Sequence, residues 1–214
     1  TGGSPMNLTE VHELADAVLL AWYPGEEGGN AIADIIFGKA SPAGKLPITF
    51  PKSLDQLPPF EDYSMEGRTY RYMTKEPMYP FGFGLSYSSF TFSDLNQSAI
   101  NIKEGEIVEI SLKVTNIGDY PSIETVQMYI TDDVASTLTP LFSLKGIKTV
   151  NLQPGESKFI DFKISTNMLK LINDQGEAIL EKGNFTIHIS NSLPSKRAIE
   201  LGASKSLKTS LVLE

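Results

Sequence analysis

The second half of the chain alternates between apolar and polar residues with a period of two. In residues 108–115 the apolar positions are Val108, Ile110, Leu112 and Val114, and the residues between them are polar. The same alternation returns in residues 126–130, 160–164 and 185–189. Successive side chains of a strand point to opposite faces, so each segment is predicted to be a strand with one buried and one solvated face.

Turn signals separate these segments. They are residues 116–119 (NIGD), Pro154-Gly155 and residues 174–176 (DQG). About seven short strands within about 120 residues are typical of a two-sheet sandwich of the immunoglobulin or fibronectin type III kind. We therefore predict an all-β sandwich domain over residues 91–214.

The first 53 residues have a different pattern. Residues 17–22 (AVLLAW) are continuously apolar, as in a parallel strand that is covered on both faces. After Pro24-Gly25, apolar residues recur at helical spacing through Ile36, and Gly38 is a C-terminal stop signal. The pattern predicts a strand, a tight turn and a helix, which is half of a βαβ unit.

Half of a βαβ unit cannot bury such a strand. The next stretch, residues 41–51 (SPAGKLPITFP), can add at most one short strand. We therefore expect residues 1–53 to be the C-terminal remnant of an α/β domain whose larger part lies upstream. The fold class predicted for the whole chain is α+β by content, with a truncated α/β remnant before the all-β sandwich.

Residues 54–90 form an aromatic, Pro-rich connector. Its rings are Tyr63, Tyr70, Tyr72, Tyr79, Phe81, Phe83, Tyr87 and Phe90, together with Phe60. Flexible linkers are rich in Gly and Ser, so this segment is predicted to pack against its neighbours as an interdomain seal. The alternative is a lectin-like sugar platform, which would need the tyrosines exposed and in one plane.

Charge and composition exclude several classes of function. The formal net charge of −8 argues against nucleic acid and anionic lipid as partners. The chain has no cysteine, and no apolar run approaches the ~18 residues of a membrane span. Of the two histidines, His12 lies on a polar segment and His188 is predicted on the solvent face of a strand, so no metal site is expected. Asp132-Asp133 is predicted to be a solvated turn.

Glu26 and Glu27 are the most conspicuous acids. A pair of glycosidase carboxylates must face each other across one sugar bond, whereas neighbouring residues point in different directions. As a catalytic pair they are therefore excluded. Two interpretations stay open: acids in the first turn of the helix, near its positive end, or one acid that lines a ligand cleft at the end of the strand.

Three motifs in order resemble glycoside hydrolase family 3. Residues 22–53 (WYPGEEGGNAIADIIFGKASPAGKLPITFPKS) look like the end of its α/β sandwich domain. Residues 79–93 (YPFGFGLSYSSFTFS) resemble the junction to its fibronectin type III-like domain, and residues 144–157 and 181–190 resemble strands of that domain. The resemblance covers nearly the whole chain.

This resemblance implies a parent enzyme that is a retaining, exo-acting β-glucosidase or β-xylosidase. Its substrate would be an oligosaccharide or aryl glycoside, with no cofactor and no metal. Both catalytic carboxylates, an Asp on an N-terminal barrel and a Glu upstream in the sandwich domain, are expected outside these residues. The fragment would be structural, with Trp22 and Glu27 as candidate residues of the substrate cleft and Glu27 as the recurrent acid of the family.

The segment GRTYRY, residues 67–72, is more similar to the β-xylosidase branch of the family, although Arg68 and Arg71 could simply pair with acids at the domain seam.

Bacterial periplasm or secretion is favoured over the cytoplasm. The rival hypothesis is a non-catalytic module that binds carbohydrate or protein through its sandwich. A free module of that kind would have no use for the strand-helix segment before residue 54.

Overall fold

In the computed structural model, residues 3–214 are described. The helices are short: α1 (Thr9–Leu14), α2 (Gly28–Ile36), α3 (Thr69–Tyr72) and α4 (Lys196–Glu200). Helix α2 begins after Pro24-Gly25 and ends before Gly38, whose φ of 72° is the left-handed conformation that favours glycine. Both the helix and its stop signal are as predicted. Among the described residues, no helix is long and apolar enough to cross a membrane.

Strands dominate from residue 90 onward. They are β1 (Phe90–Gln97), β2 (Asn101–Ile102), β3 (Ile107–Asn116), β4 (Ser122–Asp132), β5 (Ser143–Leu152), β6 (Ser157–Ser165), β7 (Leu171–Ile172), β8 (Ala178–Ile179), β9 (Gly183–Ser190) and β10 (Leu207–Leu213). The seven long strands match the predicted number. Three two-residue strands, β2, β7 and β8, were not predicted.

The long strands form two facing sheets. One has the order β1-β3-β6, and the other has the order β2-β10-β9-β4-β5, while β7 and β8 pair as a separate ribbon. In β3 the residues Val108, Ile110, Leu112 and Val114 are all fully buried, and they pack against Val126, Met128, Ile187 and Ile189 of the other sheet in one core. The predicted sandwich is confirmed. Period-two alternation gives each sheet one apolar face, and these two faces pack against each other.

Strand β4 differs from the prediction that every strand has one wet face. Its core-facing residues are buried, but so are Gln127 and Tyr129 on the opposite face. The connector and the segment after β9 cover that face: Gln127 Nε2 donates to Gly82 O at 2.9 Å and to Asn191 O at 3.1 Å. The expectation was wrong for β4, because local periodicity cannot show that another segment covers the outer face of a sheet.

The strand predicted at residues 17–22 is not present. This segment is irregular, and Val18 and Leu19 remain 40% and 39% exposed. A β-strand is defined by hydrogen bonds to a neighbouring strand, and none lies beside this segment in the part of the chain that the structure describes. Val18 and Leu19 are therefore apolar side chains that residues 3–214 do not bury completely.

The segment after α2 pairs with the connector. Phe50 N donates to Tyr79 O at 2.9 Å, Leu46 N to Phe83 O and Gly82 N to Leu46 O, both at 2.8 Å. Phe50 forms the isolated β-bridge with Tyr79 and is fully buried. Residues 46–50 thus form one isolated bridge and no strand, within the predicted limit of at most one short strand, and these hydrogen bonds fasten the first region to the connector.

The connector rings pack mostly against protein. Tyr70 stacks on Phe81 with centroids 4.1 Å apart, and Tyr79 stacks on Phe83 at 6.1 Å. Tyr63, in contrast, is 89% exposed. Four of the nine rings stack in these two pairs, while Phe60, Tyr63 and Tyr87 are exposed. The stacked pairs favour the predicted aromatic seal over a planar platform.

Candidate functional site

The acids of the opening motif lie on a tight turn. Gly25 has a φ of 72°, and Gly28 N donates to Gly25 O at 3.2 Å. Gly28 is buried against Pro24, where a Cβ would come within 2.6 Å of the ring. Glycine is thus required at two positions of this turn, and the turn presents Glu26 and Glu27 to solvent.

Glu27 immediately precedes helix α2 and does not cap its backbone. Its Oε2 instead accepts a hydrogen bond from Asn30 Nδ2 at 2.6 Å, which holds the carboxylate over the start of the helix. The first turn itself contains no acid, so the interpretation of Glu26 and Glu27 as first-turn residues was off by one or two positions. Both acids still lie near the positive end of the helix.

Trp22 precedes this turn in an unusual conformation. Its φ is 52°, in the left-handed region where a bulky residue is an outlier. Its half-buried indole packs against the ring of Phe50 at a centroid distance of 6.0 Å. Strain of this kind costs about 1–3 kcal/mol and is found mainly at ligand-binding and catalytic sites. Trp22 and Glu27 lie on opposite sides of one turn. Trp22 is half-buried and Glu27 is exposed.

His12 has a structural role. It lies on α1, and its Nδ1 is 2.9 Å from the hydroxyl of Tyr79, with the two rings edge to face. Burial raises the pKa of Tyr79, against a smaller opposing effect of the Arg197 charge. Within residues 3–214 no group of three or more His, Cys, Asp or Glu residues is arranged to hold a metal ion.

The predicted solvent exposure was wrong for His188 and for Asp132, whereas Asp133 is exposed as predicted. His188 is half-buried, with its ring edge to face with Phe142 at 5.3 Å. Burial, and to a lesser degree the charge of Lys208, lowers the pKa of His188 to about 4. Asp132 is also partly buried, and burial raises the pKa of its carboxyl. Segments that come from elsewhere in the chain cover both residues, so strand alternation did not indicate their burial.

Arg68 does not pair with acids as one interpretation expected. Its guanidinium donates to three backbone carbonyl oxygens, those of Pro59 (3.0 Å), Asp62 (2.5 Å) and Ser64 (3.1 Å). It thereby holds the loop of residues 59–64 in place. Arg71 lies over the ring of Tyr72 at 5.8 Å.

Sequence reasoning missed a buried ion pair between the two regions. Lys45 Nζ lies 2.8 Å from Glu124 Oε1, and the two side chains are only 12% and 5% exposed. Lys45 also donates to Gly84 O at 2.7 Å, and Glu124 Oε2 accepts from Asn191 Nδ2 at 2.8 Å. A signal was available: Glu124 falls in phase with Val126 on the buried face of β4, and a buried charge requires a partner.

These features define a class of protein. A helical first region with an exposed acidic turn is joined, through an aromatic connector and a buried ion pair, to a two-sheet sandwich of three and five strands. Two family models match this order: "Glycosyl hydrolase family 3 C-terminal domain" over residues 1–87 and "Fibronectin type III-like domain" over residues 124–193. The chain belongs to glycosyl hydrolase family 3, as the sequence motifs indicated.

Relatives of known name support this assignment. The chain is 40% identical over 199 residues to a periplasmic beta-glucosidase of Salmonella typhimurium, which is 87% of this chain and 26% of that protein. It is 41% identical over 189 residues to a putative beta-xylosidase of Formosa agariphila, 86% of this chain and 25% of that protein. The chain thus spans about a quarter of the length of these glycoside hydrolases.

The fold also matches a solved structure. The whole chain superposes on 27% of a beta-glucosidase of Erythrobacter marinus with a TM-score of 0.83 and 32% sequence identity. Both regions and the connector between them are therefore found together in a larger enzyme.

Proposed function

We propose that this chain is the C-terminal portion of a retaining, exo-acting β-glycosidase that removes terminal β-linked glucose or xylose. The observation that carries the proposal is the fused arrangement of its two regions. The backbone hydrogen bonds between residues 46–50 and 79–83 and the buried Lys45–Glu124 pair join them into one body, which is how a supporting element of a larger enzyme would be built.

An exposed apolar surface supports a larger assembly. Val18 and Leu19 are unpaired and partly exposed, and Ile36 and Phe37 at the end of α2 are 65% and 80% exposed. Apolar side chains of this size gain about 1.5–3 kcal/mol each on full burial. We propose that the remaining strands and helices of the α/β domain, together with a barrel domain, cover this surface in the parent enzyme.

The chemistry would then be shared between domains. In a retaining enzyme one carboxylate attacks the anomeric carbon while a second, as an acid, protonates the leaving oxygen; water then releases the sugar. We assign neither catalytic role to this chain. Trp22 and Glu27 would form part of the cleft rim, where an indole face packs on a sugar ring and a carboxylate accepts hydrogen bonds from sugar hydroxyls.

Turnover measurements test the main proposal. The 214-residue chain and the polypeptide encoded by the complete reading frame should be assayed with p-nitrophenyl β-glucoside and β-xyloside. We expect the complete polypeptide to be active and the chain to be inert, and the preferred sugar identifies the substrate. Turnover by the pure chain would contradict the proposal, as would saturable oligosaccharide binding by residues 91–214 alone.

A matched pair of variants tests the cleft residues. In the complete polypeptide, Glu27→Gln should lower kcat/KM by about 10- to 100-fold, because a charged hydrogen bond contributes about 1.5–3 kcal/mol. Glu26→Gln is the control, since it removes the same charge one residue away. Equal activity of the two variants would exclude a specific role for Glu27.

The compartment is proposed as the periplasm or the cell exterior. The support is the relative named as a periplasmic beta-glucosidase. Cell fractionation with an antibody against the sandwich domain tests this, and recovery of the complete polypeptide only in the cytoplasmic fraction would contradict it.

A further inference from the structure

A small cavity lies where the connector meets one end of the sandwich. Its volume is about 110 Å³. The polar side chains at its wall are those of Arg71, Asp132, Thr139, Ser143, Lys145 and Lys170. The connector is held to this end of the sandwich by a backbone hydrogen bond from Leu141 N to Arg71 O at 2.6 Å.

A β-bulge places Lys145 at this cavity. In the pairing of β4 with β5, Met128 lies opposite Gly146 and Tyr129 lies opposite Leu144, so Lys145 is the extra residue. A bulge leaves its extra residue outside the regular ladder and redirects the side chain, and bulges are frequent next to functional sites. The position of the ammonium group is therefore a specific feature of this sheet edge.

Three cations line the cavity, Arg71, Lys145 and Lys170, and none of them has an acidic partner in an ion pair of the described residues; Arg71 and Lys145 are the two whose charges interact. Among the ion pairs of residues 3–214, none includes Lys145 or Arg71, although the chain carries an excess of eight negative charges. Lys145 is half-buried, and burial, followed by the positive charge of Arg71, lowers its pKa. Arg71 itself is exposed, but its positive charge raises the free energy of the half-buried Lys145 ammonium group, and an anion between the two would relieve this cost.

Asp132 does not supply that anion. It is the one carboxylate among the residues that line the cavity, and its Oδ1 accepts a hydrogen bond from Val134 N at 3.2 Å in the following turn. Its pKa is raised by burial and by the nearby carboxylates of Glu181 and Asp133, whereas neither Arg71 nor Lys145 contributes to the shift. Asp132 is thus hydrogen-bonded to the following turn and forms no ion pair with Arg71 or Lys145 among the described residues.

We propose that Arg71 and Lys145 form a binding site for a small oxyanion, either a carboxylate or a phosphate group. A guanidinium matches two oxygens of such a group at once, and a lysine adds a third donor as a point charge. The cavity has room for an ion of a few heavy atoms. The site is separate from the turn of Trp22 and Glu27 and is independent of the proposed glycosidase function.

Titration with inorganic phosphate and, separately, with acetate tests the proposal. The chain is labelled with ¹⁵N, and amide shifts are followed by NMR at constant ionic strength kept with NaCl. We expect saturable shifts centred on residues 70–72 and 143–146 with at least one of the two anions. The anion that binds more tightly identifies the group. Shifts that stay linear with concentration, or that spread over all basic surfaces, would overturn the proposal.

Two variants and a control separate the site from general charge effects. Lys145→Met should weaken binding at least tenfold while the Tm without anion stays equal or rises, because an unpaired half-buried cation is removed. Arg71→Gln should weaken binding similarly. Lys205→Met, at an exposed lysine outside any ion pair of the described residues, should bind as the unchanged chain does. Equal weakening in all three variants would overturn the proposal.

Discussion

Replacing Lys45 by Met removes the cation from the buried ion pair that joins the first region to the sandwich. Glu124 would keep its hydrogen bonds from Thr125 N (2.7 Å) and Asn191 Nδ2 (2.8 Å), but its charge would stay 5% exposed without a counterion. Removal of one member of a buried pair costs about 3–5 kcal/mol, most of it from the uncompensated charge that remains. For a chain of this size we therefore expect Tm to fall by about 6–20 °C.

An exposed pair of the same chemistry is the control. Lys163 Nζ lies 2.9 Å from Glu109 Oε1, almost the same distance as in the buried pair, but these side chains are 66% and 61% exposed. Surface pairs gain little because water and salt screen them. Lys163→Met should therefore leave Tm nearly unchanged.

Thermal and guanidinium unfolding, followed by far-UV circular dichroism, measure both variants. The double variant Lys45→Met/Glu124→Gln removes the orphaned charge and keeps an oxygen that can accept from Thr125 N. We expect it to recover at least about 2 kcal/mol of the loss. A loss in Lys45→Met below about 1 kcal/mol, or no recovery in the double variant, would refute the assignment of the cost to buried charge.

Two further predictions concern the covered face of the sandwich. Gly82→Ala should destabilise the chain by about 2–5 kcal/mol, because Gly82 has a φ of 73° and a Cβ would overlap Gln127 Oε1. The control Gly155→Ala, at a φ of 75° but in open space, should cost only about 1–2 kcal/mol. Equal losses of the two variants in chemical denaturation would contradict the packing explanation. For His188, burial and then the charge of Lys208 lower the pKa in the folded chain to about 4 from 6.5, so the unfolded chain binds more protons between these values. The free energy of unfolding should therefore fall as pH falls from about 6.5 to about 4, by at most about 3 kcal/mol. His188→Gln should lose this part of the pH dependence. If the free energy of unfolding of that variant still falls equally with pH, groups other than His188 cause the effect.

The candidate site could be located from the sequence only in outline. The motif PGEEGG identified the turn and Glu27, and the preceding apolar run identified Trp22. The left-handed backbone of Trp22 and its packing on Phe50 could not be predicted, because they depend on a contact with a segment that lies beyond α2. The cluster of Arg71 and Lys145 was also not predicted, since a bulge in β5 brings Lys145 to the connector.

The sandwich was determined largely by local pattern. Alternation of apolar and polar residues decides which face of β3, β6 and β9 is buried, and Gly155 with its φ of 75° suits the turn between β5 and β6. Both properties depend on residues within one strand or one turn, where side-chain period and backbone sterics act. A reader of the sequence can therefore recover them without knowing what else is nearby.

Tertiary structure alone decided what lies against each element. It left residues 17–22 irregular instead of in a strand, covered the outer face of β4 with the connector, and paired Lys45 with Glu124. The physical reason is that strand pairing, burial of a second face and the choice of a counterion are contacts between segments far apart in the chain. Such contacts form only when the whole fold closes, and no local period of the sequence encodes them.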